Sequence, residues 1–420
     1  MHQSPSIWDV AVIGAGPAGA SAALAAVGSN KRVIILERFG IPRYKTCGGG
    51  LIGTSMKMLP RDLIVPIQAK ATSFTFSLHG RFERTRTASK SIVNLVNRDD
   101  FDASIVSAAV EAGASLCDNT IVMRLTQEND VMHLMTREGE DIWARIVVGA
   151  DGSAGRSSAY VGVVFDQVDL GLEVELPIPK DQCNVWSNRI LVDWGHIPGG
   201  YGWVFPKGDT LSVGVIAERG RPDLTRSYLS DFLSRLRLDK VEPIVSSGHL
   251  TRCRTEDSPL YKGRVTVAGD AAGLLEPWTR EGISFALRSG TMAGQAAAEA
   301  AGAVSEGDVA SIMASYANTV RSTLEPEMRA GRALLRAFIR HPRIFHMAII
   351  FLPKVWDVFT HTIAGETNFA KIYERPIARA VLKLLGSGSK VSSAQISKSH
   401  MKLMPLPSRW PSKNATAEDP

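Results

Sequence analysis

The sequence predicts an α/β protein: a Rossmann-like dinucleotide-binding domain, an inserted antiparallel β-sheet domain for a substrate, and a C-terminal helical region. Three observations predict it. Near the start, an apolar run leads directly into glycines spaced G-x-G-x-x-G. Two later apolar runs end in Gly-Ala-Asp and Gly-Asp, at the strand edge where open α/β sheets take their ligands. Between them lie stretches of apolar–polar alternation, which mark strands with one wet face.

The first apolar run, residues 10–13, suits a buried parallel strand. Gly14, Ala15, Gly16, Pro17, Ala18 and Gly19 follow it. Gly14 permits the tight turn, Gly16 lacks the side chain that would keep a pyrophosphate from the backbone, and Gly19 lets the next helix pack close on the strand. The alanine-rich stretch to Val27 suits that helix, whose first N–H groups and partial positive charge attract phosphate oxygens. A second apolar run, 33–36, ends in Glu37, a carboxylate placed to accept hydrogen bonds from a ribose.

The loop RFGIPRYKTCGGGL, residues 38–51, carries three consecutive glycines, which suggests close backbone approach to a ligand. Cys47, with Arg43 and Lys45 nearby, is either a reactive or proton-donating thiol or a small buried residue. Phe74, Phe76 and Leu78 then alternate with polar residues, His79-Gly80 turns the chain, and 81–87 and 92–96 read as further strands. Arg98 opens a helix with Phe101, Ile105 and Ala109 on one face and Gly113 as its stop. Its guanidinium either reaches the cofactor's phosphates or pairs with Asp99 or Asp102. The run 146–148 ends in Gly149-Ala150-Asp151-Gly152, where Asp151 can cap the next turn and approach the cofactor.

Alternation returns from 165 to 262. Tyr201, Trp203 and Phe205, followed by Pro206, fall in one strand; the three rings either line an apolar channel or fill the core of the sheet. Tyr228, Leu229, Phe232, Leu233 and Leu236 mark an amphipathic helix to cover that sheet. A buried strand then ends at Gly269-Asp270, and a loop from Pro277 leads to a second helix beginning at Gly282-Ile283. Residues 308–340 read as one helix, with Arg332, Arg336 and Arg340 as a basic stripe. The apolar stretch 341–359, interrupted by Pro353, is either a helical cap over the substrate domain or a membrane-surface contact.

Composition narrows the class. Of 420 residues, 45% are hydrophobic and 21% charged, as in an ordinary globular protein. A net charge of +6 spread along the chain argues against nucleic acid and suits an anionic ligand or a membrane surface. Four scattered cysteines without a C-x-x-C pair argue against zinc or an iron–sulfur cluster, so no metal is expected. The first strand starts within ten residues of Met1 and no apolar run approaches the ~20 residues of a membrane span. The expected location is the cytoplasm, with contact to a membrane surface as the further reading.

With GAGPAG, KTCGGGL, Arg98 with FD, GADG, YGWVFPKG and GDAAG…P…EGI in this order, the chain resembles the geranylgeranyl reductase family. That family belongs to a larger flavoprotein group that includes aromatic-ring hydroxylases. The resemblance implies FAD, a para-hydroxybenzoate-hydroxylase-like fold and saturation of isoprenoid double bonds. By similarity, residues 14–19 with Glu37 and Arg38 hold the ADP half, and Arg98, Asp151, Gly269 and Asp270 the phosphates and ribitol. Gly282 and Ile283 lie under the ring, with Cys47, Gly48 and Gly49 beside it. Cys47 is the candidate proton donor, and Tyr201, Trp203, Phe205 and Pro206 the candidate substrate wall. One departure stands out: the family reads P-x-T-G-E-G-I where this chain has Arg280 in the glycine's place.

The electron donor would be NAD(P)H or ferredoxin, with a reductase or ferredoxin as partner. The alternative readings are a flavin monooxygenase using NAD(P)H and oxygen, and a non-catalytic flavoprotein. The domain boundaries follow: 1–71, 98–164 and 263–305 for FAD; 72–97 and 165–262 for the substrate sheet; 306–385 helical; 386–420 a mobile basic tail.

Overall fold

The computed structural model describes residues 6–386. Five parallel strands stand in the order Val265–Val267, Asp141–Gly149, Ile7–Ile13, Val33–Leu36, Ser115–Cys117. Residues 10–12 and 33–36 are buried, as strands covered on both faces require. The helices Pro17–Val27, Arg98–Glu111 and Ile283–Ala301 supply that cover. Pro17–Val27 and Ile283–Ala301 approach so closely that a Cβ on Gly290 would fall 2.2 Å from the Ala18 carbonyl oxygen, and one on Gly294 2.1 Å from that of Ala22. Small residues at this crossing bring Gly269, Asp270 and Gly282 up to the start of the first helix. An antiparallel hairpin, Val122–Glu128 with Val131–Thr136, extends the sheet from Asp141–Gly149.

The second sheet has seven strands in the order Val245–Arg254, Phe165–Pro177, Thr210–Glu218, Tyr201–Lys207, Arg189–Trp194, Ser73–Leu78, Arg81–Thr87. Its register decides which residues share a face. Trp203 stands opposite Gly214, Gly214 opposite Glu173, and Glu173 opposite Ser247. One face therefore presents Tyr201, Trp203, Phe205 and Lys207, then Ser212, then Asp169, Glu173 and Glu175, then Ser247 and His249. The opposite face, with Val174, Val204, Val213 and Val215, is buried under the helix Pro222–Arg235 through Tyr228, Leu229 and Phe232. Pro206 pairs with Leu211 on that opposite face, away from the three rings beside it in sequence.

Two pairings differ from the simple antiparallel expectation. Ser73–Leu78 runs parallel to Arg189–Trp194. The chain between them passes through the other domain, so no tight hairpin dictates an antiparallel return. Val93–Val96, expected in this sheet, instead joins Gly50–Leu51 and Ile67–Ala71 in a separate three-stranded sheet. This tethers the glycine loop between the two domains.

The helix expected over 308–340 is two, Glu306–Thr323 and Glu325–Arg340. Pro326 has no N–H to give and fits a helix only in its first turn, so the chain restarts there. The expected basic stripe is also divided: Arg332 lies 3.5 Å from Asp166 and donates to the Arg254 carbonyl, whereas Arg336 is exposed. Pro342–Phe351 and Pro353–Ile363 follow. Phe338, Ile349, Ile350 and Trp356 cover Phe74, Phe76 and Trp194 at the sheet's far end. No helix among the described residues is long and apolar enough to cross a membrane. The basic tail expected from 386 lies, beyond Gly386, outside the described residues.

Candidate cofactor and active site

The glycines of the first turn separate into two kinds. Gly14 has φ +99°, and a Cβ there would meet the Ala150 carbonyl oxygen at 2.3 Å. A Cβ on Gly19 would fall 1.8 Å from the Gly14 carbonyl oxygen. Both are demanded by the protein's own packing. Gly16 is not: a Cβ there would meet only Arg43, at 3.6 Å, an ordinary contact. Gly16 is also the N-cap of Pro17–Val27 and makes no side-chain cap, so the helix's first N–H groups lack a side-chain acceptor there. A ligand phosphate approaching this backbone accounts for the glycine and satisfies those donors.

Glu37 is buried and already engaged. Its Oε2 accepts from the Ala15 N–H at 2.7 Å, and its Oε1 lies 3.3 Å from Arg43 Nε. Arg38 beside it is exposed, its guanidinium over the Phe39 ring. From Arg43 a chain of ion pairs crosses the site. Arg43 donates to Asp102 Oδ2 at 3.1 Å, and Asp102 takes Arg98 in two bonds, at 2.8 and 2.9 Å. Of the two roles open to Arg98, the ion pair with Asp102 is made; the guanidinium also stands beside the Cys47 thiol.

On the other side of Cys47, Lys45 Nζ donates to His249 Nε2 at 2.7 Å, and that nitrogen lies 3.9 Å from Asp270 Oδ2. Burial drives the Lys45 ammonium down to about 8. Burial also lowers His249, so the imidazole is the neutral acceptor. The Asp270 carboxyl, which burial pushes up, is nevertheless held below its ordinary range by His249 and Lys45. A Cβ on Gly282 would lie 3.6 Å from Asp270 Oδ1, and one on Gly269 2.8 Å from the Ala18 side chain. Gly14, Gly16, Arg98, Cys47, Gly269, Asp270 and Gly282 are thus joined by one series of contacts; Ile283 lies behind them in the core. Asp151 turns away from this series. Its carboxylate accepts from the Arg156 and Ser157 N–H groups at 2.7 and 3.1 Å, which caps the helix Arg156–Val161.

The aromatic face of the second sheet closes over the glycine loop. A Cβ on Gly48 would meet Phe205 at 2.7 Å and Trp203 at 3.2 Å. Lys207 Nζ donates to the Cys47 carbonyl at 3.2 Å. Tyr201 donates its hydroxyl hydrogen to the Thr279 carbonyl, tying the sheet to the loop before Gly282. Arg280 in that loop has φ +57°, the left-handed conformation that glycine favours. Its guanidinium pairs with Asp169 at 3.1 and 3.2 Å and donates to the carbonyls of Gly199 and Trp278 at 2.8 and 2.7 Å. The side chain is anchored to the sheet.

These residues fit FAD: a first turn whose central glycine no protein contact explains, a carboxylate at the end of the second strand, and cations and Asp270 along the cleft. Arg43, Ser153 and His249 also belong to the site but lie outside the family motifs, and Asp102 and Lys207 lie inside them. Ser153 donates to the Leu250 carbonyl at 2.6 Å and lies 3.3 Å from His249 Nε2. Only the strand register brings His249, in an unremarkable alternating run, to Lys45.

Comparison with known proteins gives the family and the fold. The FAD binding domain family matches residues 8–175. The chain is 31% identical over 302 residues to the geranylgeranyl diphosphate reductase of Rhodobacter capsulatus, covering 69% of this chain and 75% of that protein. It is 30% identical over 322 residues to digeranylgeranylglycerophospholipid reductase 3 of Methanosphaera stadtmanae, covering 70% and 77%. Its fold matches the crystal structure of a geranylgeranyl bacteriochlorophyll reductase-like protein from Thermoplasma acidophilum with a TM-score of 0.70 at 20% identity, over 90% of this chain and 99% of that one.

Proposed function

The chain belongs to the geranylgeranyl reductase family of FAD-dependent oxidoreductases, and we propose that it saturates carbon–carbon double bonds in the geranylgeranyl or polyprenyl group of a lipid-like substrate. The observation that carries the reading is the closure of Trp203 and Phe205 over the Cys47–Gly49 loop. It puts an apolar wall where the family resemblance puts the reactive edge of the cofactor.

Bound in the cleft, FAD would supply the hydride that an isolated double bond requires. The residues of the chain do the rest. The helix start at Gly16 and Arg43 bind the phosphates, and Asp270 accepts from a ribitol hydroxyl. Tyr201, Trp203 and Phe205 exclude water and hold a hydrocarbon tail by burial, each CH₂ contributing about 0.8 kcal/mol. Cys47 Sγ, which accepts from the Gly49 N–H at 3.4 Å, is the proposed proton donor to the second carbon. NAD(P)H or ferredoxin is the proposed source of electrons.

The C-terminal helices support a cap and a membrane contact together. Pro342–Phe351 and Pro353–Ile363 turn His346, Ile349, Ile350 and Trp356 inward while Ile344, Met347, Phe351 and Leu352 remain exposed, with Arg343 and Lys354 beside them. Such a face suits an anionic bilayer from which a polyprenyl lipid is drawn. Co-flotation with anionic liposomes at low salt is expected; its absence leaves only the cap.

The test of the function is anaerobic incubation of chemically reduced holoenzyme with a panel of geranylgeranyl compounds, read by product mass. A gain of two hydrogens per double bond is expected. A gain of one oxygen in air with NAD(P)H would instead establish the monooxygenase. Cys47→Ala is expected to keep FAD and lose turnover; full turnover removes Cys47 from the proton role.

A further inference from the structure

Beneath the Cys47–Gly49 loop the second sheet holds a group of charges that neither FAD binding nor the tail-binding wall requires. Lys207, 2% exposed, donates to Glu175 Oε1 at 3.1 Å as well as to the Cys47 carbonyl. Glu173, 1% exposed, lies two residues before Glu175 on the same face, opposite Ser247. Neither of its carboxyl oxygens has a hydrogen-bond partner. It is faced by Glu175 from its own strand, Lys207 from Tyr201–Lys207 and Ser212 from Thr210–Glu218. Ser247 and His249 of Val245–Arg254, and Tyr44 and Lys45 of the glycine loop, complete its surroundings.

Lys207 is matched by Glu175, and Lys45 faces Asp270 across His249. An ionised Glu173 would be a surplus anion in a dry place, which is far costlier than a neutral acid. Burial pushes its carboxyl up and Lys207 pulls it back only in part, to about 7. Tyr44 is 39% exposed as a residue, and its hydroxyl is hydrogen-bonded to Ser247 Oγ at 3.1 Å, with Ser247 directly across the strand pair from Glu173.

We propose that Glu173 is the proton reservoir of the site: a neutral carboxylic acid that restores the proton given up on the Cys47 side of the cleft and is refilled from water through Tyr44 and Ser247. The inference rests on the reductase reading. Each saturated double bond takes a hydride from reduced FAD at one carbon and a proton at the other; FAD is oxidised, the alkene is reduced, and no further oxidant or reductant enters. The Glu173 O–H bond breaks, its proton replaces the one delivered, and the carboxylate left beside Lys207 recovers a proton from solvent. Glu173 acts through the donor, so it is a positioning and supply residue.

The experiment uses FAD-loaded wild type, Glu173→Gln and Glu175→Gln. The infrared carbonyl band of a protonated carboxylic acid is followed against pH, with isotope exchange in D₂O to mark it. The expected result is a band that titrates near pH 7 in the wild type and is absent from Glu173→Gln at unchanged FAD content. In Glu175→Gln it titrates at lower pH, because Lys207 is freed to stabilise the Glu173 anion. In repeated turnover of a geranylgeranyl substrate with a chemical reductant, Glu173→Gln is expected to slow the steady-state rate by roughly 10²-fold and to lack the inflection near pH 7 expected of the wild type, while the first turnover of the reduced enzyme keeps its wild-type rate. A band unaltered by Glu173→Gln, or a pH profile identical to the wild type's, overturns the proposal. If no geranylgeranyl compound reoxidises the flavin, the reductase reading fails and the supply role with it; the band still reports whether Glu173 holds a proton.

Discussion

Arg280→Gly restores the family's residue, and its effect can be worked from the structure. The gain is relief of a left-handed backbone at φ +57°, about 1–2 kcal/mol for an L residue. The loss is larger. Arg280 and Asp169 are buried, with side chains 4% and 2% exposed, and bonded through two nitrogen–oxygen pairs. Removing one partner of such a pair costs about 3–5 kcal/mol, because the other charge is left buried and unmatched. Gln167 Nε2, at 2.6 Å from Asp169 Oδ2, compensates only in part. Arg280→Gly should therefore lose about 1–4 kcal/mol net. Adding Asp169→Asn removes the stranded charge and should return a large part of the loss. The assay is urea unfolding followed by tryptophan fluorescence, since Trp278 in the same loop stacks near Trp194 at 6.1 Å. If Arg280→Gly is as stable as the wild type, or Asp169→Asn restores nothing, the reasoning about this pair is wrong.

Two further outcomes follow from the same geometry. Gly16→Ala should fold with unchanged stability, since its Cβ has room in the protein, but should lose FAD affinity; Gly19→Ala should destabilise the fold itself, with its Cβ 1.8 Å from a carbonyl oxygen. Equilibrium unfolding and FAD titration of the two variants separate these effects, and equal behaviour contradicts the division. His346, fully buried, donates from Nε2 to the Phe82 carbonyl at 2.9 Å and holds Pro342–Phe351 on the sheet. Burial lowers its pKa, so the unfolded chain takes up a proton more readily and stability falls as pH drops below about 6.5. The thermal midpoint should fall between about pH 7 and about pH 5, and fall less in His346→Gln; parallel curves would exclude His346 as the cause.

Local features of the chain were readable and long-range ones were not. The first strand, turn and helix announce themselves because a run of β-branched residues, three glycines and an alanine-rich segment adjoin in sequence, each with its own steric reason. The covering helix Pro222–Arg235 was legible from Tyr228, Leu229 and Phe232 at helical spacing. Val93–Val96 was assigned to the wrong sheet because alternation says a residue is in a half-buried strand but not which strand it meets. His249 reaches Lys45, and Glu173 reaches the Cys47 loop, only through a register between strands far apart in sequence. Asp151 reads in sequence both as a cap and as a cofactor residue, and the N–H groups of Arg156 and Ser157, five and six residues on, engage its carboxylate as a cap. The break at Leu324 was visible in Pro326, whose missing N–H outranks the apolar periodicity running through it.

Everything depends on one FAD held by the Gly14–Gly19 turn, the Arg43–Asp102–Arg98 chain and the Gly269–Gly282 segment together. The most direct measurement is flavin stoichiometry: absorbance of the purified, folded protein, with mass spectrometry of the cofactor released on denaturation. One FAD per chain is the expected result. A folded protein that neither carries FAD nor takes it up on titration would contradict the account at its root.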